Sequence, residues 1–347
     1  MTEQRKALAM ISGGLDSLLA AKLVQEQGVH VEGINFFTGF CVEGHTHAIR
    51  KRSSSKPKRN NALWVAEQLG IKLHIVDIIE EYKQVVFNPR YGYGANLNPC
   101  LDCKIFMVQK AHQWCQQHGF DFVITGEVVG QRPMSQRKDT MPLVSKRSGA
   151  EERLLRPLSA RNLPETLPER MGWVSREQLL ALSGRGRKPQ IALARHYGFD
   201  DFAQPAGGCC FLTDAQYSSK LADLWQARGR KEYELDDIML LKVGRHFRPK
   251  PHFKVIIARE EGEGNFLQGY RKQYLSIVSL SHPGPLALVD GEVGDKDIEL
   301  AASLVARYGK GRDAPRVEME IRTPSGSSFL LYVQPMAAAS IPEQWYL

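Results

Sequence analysis

The feature that most constrains this chain is an apolar run that breaks into a glycine turn and then continues with helical periodicity. The run KALAMI, residues 6–11, has the length and composition of a buried strand. The segment SGGLDS at 12–17 follows it, and LLAAKLVQEQG at 18–28 predicts a helix that ends at a glycine. This order places unpaired backbone N–H groups and the positive end of the helix dipole at the turn. The turn is therefore suited to a phosphate group, which the glycines allow to approach closely.

Strand patterns alternate with helical patterns through the first third of the chain. Further strands are predicted at 29–37, 72–78 and 120–126, and further helices at 60–70 and 103–119. Such alternation predicts a parallel sheet covered by helices on both faces, which is an α/β fold.

The pattern changes near residue 215, where strand-rich, turn-punctuated segments begin and contain a single helical pattern at 296–309. We therefore predict two domains, an α/β domain at 1–214 and a smaller α+β domain at 215–347. Within the first domain, 133–152 is predicted to be an irregular loop and 176–183 to be helical.

Composition sets limits on the class of protein. The chain has 347 residues, 43% hydrophobic and 24% charged, as in soluble globular proteins. It shows neither a signal peptide nor a run long enough to cross a bilayer, so we expect a cytoplasmic protein with no membrane partner. The net charge of +8 fits either a polyanionic partner or a solvated basic surface, and the basic run at 50–59 has the same two interpretations.

Asp16 is the unusual residue of the phosphate turn, because a carboxylate repels a bare phosphate. It makes sense if it binds a Mg²⁺ ion that bridges phosphates, or if it caps the helix. The hydroxyls of Ser12 and Ser17 add hydrogen-bond donors. The turn has no lysine where a Walker A loop has one, which excludes that type of phosphate loop. A plain glycine turn with polar caps is the structural alternative.

The six cysteines all precede residue 211, which in a cytosolic chain favours metal or redox chemistry over a disulfide framework. Cys100 and Cys103 form a CxxC pair at a predicted helix start, where a thiol pKa is lowered. Cys209 and Cys210 follow a glycine pair. The CxxC pair plus one remote cysteine gives three thiolates, which suits a [4Fe–4S] cluster with one open iron, whereas zinc more often has a closed set of four ligands. Packed cysteines are the alternative, and we expect only an incidental role for Cys41.

The string SGGLDS after a strand resembles the PP-loop signature of the N-type ATP pyrophosphatase superfamily. This resemblance implies a Rossmann-like adenine nucleotide alpha hydrolase domain that binds ATP and Mg²⁺ and cleaves between the α- and β-phosphates. It implies that pyrophosphate and Mg²⁺ are bound by Ser12, Gly13, Gly14, Asp16 and Ser17. The nucleotide would also contact Asn35, Gly126 and Gln131.

Four further segments sharpen the resemblance. NPCLDC at 98–103 resembles the Asn-Pro-Asp-x-x-Cys segment of bacterial tRNA 2-thiouridylases, with Cys100 in place of the aspartate. ITGEVVGQRPMSQ at 124–136 and LLRPLSARNLPE at 154–165 resemble segments of tRNA 4-thiouridine synthetases. GGCCFLTD at 207–214 resembles the second-cysteine segment of both families. Over residues 6–214 the chain is thus similar to the tRNA thiouridine synthetases.

This resemblance implies an ATP-dependent, AMP-forming tRNA sulfurtransferase that adenylates a uridine carbonyl oxygen and then transfers sulfur. Asp16, Cys103 and Cys209 would be catalytic. Cys100, Cys103 and either Cys209 or Cys210 would hold the cluster, with Cys209 favoured because it directly follows the glycine pair. Sulfide, or a persulfide carrier supplied by a cysteine desulfurase, would donate sulfur. A cluster-free mechanism through a cysteine persulfide stays open.

The segment KVGRHFRPKPHFKVIIAREEGEG at 242–264 resembles the small RNA-associated NFACT-R type of domain. Its cations would follow an RNA backbone or form a solvated basic face; they are Arg245, His246, Arg248, Lys250 and Lys254. Two other classes of function stay open. One is a PP-loop amidotransferase or ligase that acts on a small metabolite, and the other is a non-catalytic RNA-binding protein with a retained ATP fold. The sequence indicates no oligomeric state.

Overall fold

The computed structural model describes residues 4–42, 60–202 and 210–347. The chain divides into two compact units. The first contains the described residues up to 38 together with 60–202, and the second contains 39–42 together with 210–347. No helix in these ranges is long and apolar enough to cross a membrane. Cys209 and the basic run at 50–59 lie outside the described residues.

The first unit is built on a five-stranded parallel sheet in the order β3-β2-β1-β4-β5. Its strands are β1 Lys6–Met10, β2 His30–Phe37, β3 Leu73–Asp77, β4 Phe122–Ile124 and β5 Leu154–Leu155. The chain builds outward in one direction from β1 to β3 and then returns to place β4 on the other side of β1. This reversal creates a crevice at the carboxyl ends of β1 and β4, where ligands of open α/β sheets bind.

Helices cover both faces of this sheet. They are α1 Leu15–Gln25, α2 Asn61–Leu69, α3 Ile79–Phe87, α4 Cys100–His118, α5 Thr140–Arg147, α6 Leu167–Arg170 and α7 Lys188–His196. Alternate residues of β1 serve the two faces: Ala7 and Ala9 pack in the core with α1, while Leu8 packs in the core with α4. The predicted parallel α/β fold is confirmed.

Two local predictions for this unit are wrong. The predicted loop at 133–152 contains α5, whose Met141 and Val144 are buried one turn apart and whose proline lies in the first turn, where it is tolerated. The predicted helix at 176–183 is a short 3₁₀ turn followed by extended chain. There the N–H groups of Leu180 and Leu182 bond to the carbonyl groups of residues 157 and 158, so tertiary hydrogen bonds replace the helix.

The second unit is an antiparallel sheet with helices, which confirms the α+β prediction. Six strands lie in the order β11-β10-β8-β9-β7-β6. They are β6 Arg245–Lys250, β7 Phe253–Ile257, β8 Leu275–Ser279, β9 Ala287–Gly291, β10 Val317–Arg322 and β11 Ser328–Val333. Its helices are α8 Ala215–Arg228, α9 Leu235–Leu240, α10 Glu261–Gln268 and α11 Asp295–Arg307. Ala301, Ala302 and Val305 of α11 are buried against one face of the sheet.

Candidate active site

The phosphate turn has the geometry that its sequence predicts. Gly13 has a φ of +80°, in the left-handed region that glycine adopts without strain. Helix α1 begins at Leu15 after an extended Gly14, and the side chains described around it provide no cap for its N–H groups. The Ser17 hydroxyl donates to the Gly14 carbonyl group at 2.8 Å. The alternative in which Asp16 caps the helix is therefore wrong, and the N–H groups of the first turn are available to an anion.

Among the described residues, one oxygen of the Asp16 carboxylate is hydrogen-bonded and the other is open. Its Oδ2 accepts a hydrogen bond from Gln131 Nε2 at 2.9 Å, whereas its buried Oδ1 has no partner among the described residues. Burial raises the pKa of Asp16, and the Gln131 hydrogen bond and the charges of Arg187 and Arg132 oppose this rise. A half-satisfied buried carboxylate beside an anion-binding turn fits a bridging Mg²⁺ ion.

More open polar atoms surround this carboxylate. In the part of the chain that the structure describes, Gln131 Oε1, Arg187 Nε and both side-chain polar atoms of Gln190 are buried without partners. Arg187 and Gln190 both act on the Asp16 carboxyl, so they belong to the same cluster. Buried polar groups normally have partners, and these donors and acceptors therefore fit a nucleotide phosphate and its Mg²⁺ ion. No sequence pattern points to Arg187 and Gln190, which lie just before α7 and in its first turn.

Gly126 packs directly against the start of α1. A Cβ atom at this position would lie 2.5 Å from the Asp16 carbonyl carbon and 2.6 Å from the Ser17 nitrogen. The segment after β4 thus supports the backbone of the phosphate turn, and only glycine fits there. Asn35, the other nucleotide-binding candidate, donates from Nδ2 to the Ile11 carbonyl group at 2.7 Å and holds the end of β1 to β2. The nucleotide contacts of Asn35 and Gly126 stay predictions.

Cys100 and Cys103 lie in the first turn of α4, which begins at Cys100 rather than at 103. Residues spaced i, i+3 on a helix share a face, and both thiols are partly buried. Cys100 Sγ donates to Ser135 Oγ at 3.7 Å. Asp102 accepts the N–H groups of Arg90 and Tyr91 at 3.0 and 2.9 Å, which fixes the preceding loop to this turn.

A buried ion network connects three of the motif segments. Glu127 accepts from Thr125 Oγ1 at 2.8 Å and from Arg156 Nε at 3.1 Å, and Lys104 Nζ lies 3.7 Å away. Burial alone would raise the pKa of Glu127, but the charges of Lys104 and Arg156 and the Thr125 hydrogen bond together lower it. Arg156 also bonds to Ser145 of α5 at 2.9 Å. The motif resemblance predicts no role for these residues, because their contacts join segments that are far apart along the chain.

Of the other described cysteines, Cys115 packs in the core of the first unit, whereas Cys41 and Cys210 lie in the second unit. Cys115 is buried in α4 and burial raises its pKa to about 12, as for a cysteine that packs in the core. Cys210 lies in the second unit, opposite Cys41 in an antiparallel bridge. Within the described ranges, no three or more His, Cys, Asp or Glu side chains come together as a metal-binding group. The third cluster ligand thus stays a prediction.

Most of the candidate cations of the 242–264 segment form ion pairs within the second unit or are buried there. Arg248 pairs with Asp223, Lys250 with Asp297 and Lys254 with Asp290. His246 is buried, and burial with two nearby lysines lowers its pKa well below the usual value. Arg245 is exposed and lies over the Tyr308 ring at 5.1 Å. Three of these cations are thus ion-paired and His246 is buried, and the two interpretations of the segment, an RNA contact or a solvated basic face, stay predictions.

Two regions of the chain match known families. Residues 5–153 match the tRNA methyl transferase HUP domain, and residues 244–346 match the NFACT protein RNA binding domain. The tRNA-specific 2-thiouridylase MnmA of Christiangramia forsetii is 25% identical over 351 residues, covering 90% of this chain and 79% of the relative. The first region is therefore similar to this HUP domain and to tRNA-specific 2-thiouridylases. The NFACT-R resemblance of the C-terminal region is also confirmed.

Identity is higher over shorter matches, which cover less of the relatives. MnmA of Petrotoga mobilis is 34% identical over 131 residues, which is 36% of this chain and 36% of that protein. The match thus spans about a third of the length of this curated relative. A solved 4-thiouridine synthetase–RNA complex with bound ATP is 17% identical and has a TM-score of 0.35, with 56% of this chain and 51% of that chain covered.

Proposed function

We propose that this protein is an ATP-dependent, AMP-forming tRNA sulfurtransferase that converts a uridine to a thiouridine. One observation carries the proposal. The segment at 126–136 holds both halves of the site, because Gln131 bonds to Asp16 at the phosphate turn and Ser135 bonds to Cys100 at the thiol pair. An activating group and a sulfur-handling group therefore lie along one short segment of one domain.

The first half-reaction is adenylation. A uridine carbonyl oxygen attacks the α-phosphorus of ATP, an O–P bond forms, and pyrophosphate leaves as the bond between the α-phosphorus and its bridging oxygen breaks. The open N–H groups of α1 would bind the pyrophosphate, and Asp16 would hold a Mg²⁺ ion that neutralises its charge. Adenylation turns a poor leaving group, the carbonyl oxygen, into AMP.

The second half-reaction delivers sulfur. A sulfur nucleophile attacks the activated carbon, a C–S bond forms, and the C–O bond to AMP breaks. Cys103 lies in the first turn of α4, where the helix end favours the thiolate form of a cysteine. In our proposal Cys103 is the cysteine closest to this chemistry, with sulfide or a persulfide as the source of sulfur.

The cluster is the finer part of the proposal. Cys100 and Cys103 fit two ligands of a [4Fe–4S] cluster, since they are adjacent on one helix face and partly buried. The third ligand would be Cys209, outside the described residues, or Cys210. When bound, such a cluster supplies an open iron for sulfide. Without it, the same thiols carry and resolve a persulfide.

The C-terminal unit and the family matches support tRNA as the substrate. The match of residues 244–346 to an RNA binding domain and the exposed Arg245 fit a polyanionic partner. We expect the second unit to contribute affinity for tRNA, and the first unit to contribute the chemistry.

The decisive experiment incubates the anaerobically purified protein with ATP, Mg²⁺, sulfide and tRNA that lacks thiouridine. We expect thionucleoside by mass spectrometry of digested tRNA, together with AMP and pyrophosphate. Asp16→Asn should lose AMP formation, while Cys103→Ala should keep ATP–pyrophosphate exchange and lose thionucleoside. The matched control Cys115→Ser, on the same helix, should keep both activities once folding is verified. ATP turnover with ammonia and a small acid, and no thionucleoside, would contradict the proposal.

Iron and acid-labile sulfide in the same preparation decide the finer question. About four irons per chain that are lost in both Cys100→Ala and Cys103→Ala would support the cluster. An iron-free protein that thiolates tRNA only when a persulfide carrier replaces sulfide as the sulfur donor would support the persulfide mechanism instead.

A further inference from the structure

We propose that Cys41 and Cys210 form a dithiol site that reacts with low-molecular-weight disulfides and closes into a reversible cross-strand disulfide. The proposed site assigns Cys210 to a pair with Cys41, which leaves Cys209 as the remaining candidate for the third cysteine of the thiolation site. The sequence predicts only an incidental role for Cys41 and makes Cys210 a candidate cluster ligand, whereas the structure pairs the two residues.

The backbone places the two cysteines directly opposite each other. Cys41 and Cys210 are partners in an isolated antiparallel bridge. Beside them, the N–H group of Phe211 donates to the carbonyl group of Phe40 at 2.9 Å. A hydrogen bond between the neighbours, rather than within the pair, identifies Cys41 and Cys210 as the non-hydrogen-bonded pair of the bridge.

This type of pair has the dimensions of a disulfide. In non-hydrogen-bonded antiparallel pairs the Cα atoms lie about 4.5 Å apart and the side chains project on the same face. Disulfides need Cα atoms roughly 4.4–6.8 Å apart. The two sulfurs can therefore be joined by side-chain rotation, without a movement of the backbone. Both cysteines are thiols in this structure, and both are partly exposed, so a small reagent can reach them.

The surrounding packing holds both backbones in place. Phe40 is fully buried and meets the rings of Tyr217 and Tyr233 edge-on, with centroids 6.1 and 5.2 Å away. On the other strand, the Cys210 carbonyl group accepts a hydrogen bond from Thr213 Oγ1 at 2.8 Å, and Cys210 Sγ accepts one from the Leu212 N–H at 3.4 Å. The two backbones are thus held in place by groups that a disulfide would leave unchanged, and only the contact of Cys210 Sγ would shift as the side chain rotates.

A cation lies in the same cluster. Lys242 is buried, donates from Nζ to the Gly39 carbonyl group at 2.5 Å, and lies over the Phe211 ring at 5.1 Å. Gly39 precedes the Cys41 strand, and Phe211 follows Cys210 directly. Positive charge near a cysteine favours its thiolate form, and the thiolate is the form that attacks a disulfide sulfur.

The exchange is balanced in two steps. One cysteine thiolate attacks a low-molecular-weight disulfide RSSR, forms a mixed disulfide and releases RS⁻. The second thiolate then attacks the cysteine sulfur of the mixed disulfide, forms the Cys41–Cys210 bond and releases a second RS⁻. The dithiol loses two electrons and RSSR gains them. The product joins the two strands by which the described chain enters the second unit, at residues 39 and 210.

The test uses the full-length protein in glutathione buffers of increasing oxidised fraction, followed by acid quench, alkylation and peptide mass spectrometry. We expect a linked peptide pair containing Cys41 and Cys210 that appears with one midpoint potential and disappears on reduction. Because Cys209 lies in the same proteolytic peptide, the adjacent cysteines provide the matched variants. Cys209→Ser should keep the link, while Cys210→Ser and Cys41→Ser should abolish it.

Other outcomes would overturn the assignment. A link that survives in Cys210→Ser assigns the bond to Cys209, and a link from Cys41 to Cys100 or Cys103 assigns it to another pair. Complete alkylation of Cys41 and Cys210 in the fully oxidised buffer excludes the site. The linked peptide pair is measured on the wild-type protein, so its detection does not depend on the folding of any variant. Circular dichroism verifies that each variant is folded.

Discussion

Gln131 holds one oxygen of the Asp16 carboxylate, and the Gln131 side chain is itself half satisfied among the described residues. Gln131 donates to Oδ2, while Asp16 Oδ1 and Gln131 Oε1 are buried without partners among the described residues. An amide that bonds to a carboxylate lowers its pKa and orients it. The position of the open oxygen, and with it the proposed Mg²⁺ site, therefore depends on Gln131.

Replacing Gln131 tests this at the residue scale. In Gln131→Leu the carboxylate loses a hydrogen bond that opposes the effect of burial, so the pKa of Asp16 rises further. We expect ATP–pyrophosphate exchange to fall about tenfold or more, as for a lost hydrogen bond to a charged group. The acid limb of the pH–rate profile of exchange should move to higher pH. The active, ionised form of Asp16 is then lost at a higher pH as the solution is acidified. Gln116→Leu, on the exposed face of α4, should change neither the exchange rate nor its pH profile.

Gly126 gives a second test at the same scale. A methyl group there meets backbone atoms of Asp16 and Ser17 rather than flexible side chains. Gly126→Ala should displace the start of α1 and reduce ATP–pyrophosphate exchange by about tenfold or more, since small displacements of a positioned site are costly. Gly264→Ala is the control, because its Cβ meets only the Ala258 side chain at 4.0 Å. Equal exchange rates in the two variants would contradict the close approach of Gly126 to the backbone at the start of α1.

At the scale of elements, the Glu127 network decides how the segments of the site are assembled. Its ion pairs join the turn after β4 to Lys104 of α4 and to Arg156, which follows β5 and in turn bonds to α5. Each partner comes from a different element, and Glu127 is 1% exposed. The thiol pair is therefore fixed relative to the phosphate turn through a buried charge and not through local sequence.

Glu127→Gln should destabilise the first unit. The change leaves the buried Arg156 without its charged partner, and such losses cost about 3–5 kcal/mol. Because the pKa of Glu127 is lowered in the folded state, its contribution is complete above the unfolded-state value of 4.5 and is lost as pH falls below it. Urea denaturation at pH 7 and at pH 4 should thus show a smaller deficit at pH 4. The exposed Glu151→Gln should show no deficit at either pH.

At the scale of the whole molecule, the net positive charge does not by itself identify a binding surface. The net charge of +8 does not form a row of available cations in the 242–264 segment, since Arg248, Lys250 and Lys254 are each ion-paired. Arg245, in contrast, is exposed and lies over the Tyr308 ring. A basic composition therefore indicates an RNA partner less directly than the burial and pairing of each cation.

This contrast predicts a difference in tRNA affinity. Arg245→Ala should weaken tRNA binding and reduce the slope of log affinity against log salt by about one. Lys250→Ala should leave the slope unchanged, because its ammonium group already neutralises Asp297. Filter binding at several salt concentrations checks both variants. A slope that changes equally in both would assign the two cations the same role.

Sequence alone determined what short-range physics controls. The glycine turn and α1 follow from residues within SGGLDS, the Cys100–Cys103 pair from its spacing at a helix start, and the α/β order from local periodicity. Tertiary structure decided the rest. The helix predicted at 176–183 yields to hydrogen bonds donated to the carbonyl groups of residues 157 and 158, and Asp16 meets Gln131 across 115 positions. Cys41 meets Cys210 only because two distant strands pair, and such long-range partners leave no periodic trace along a single chain.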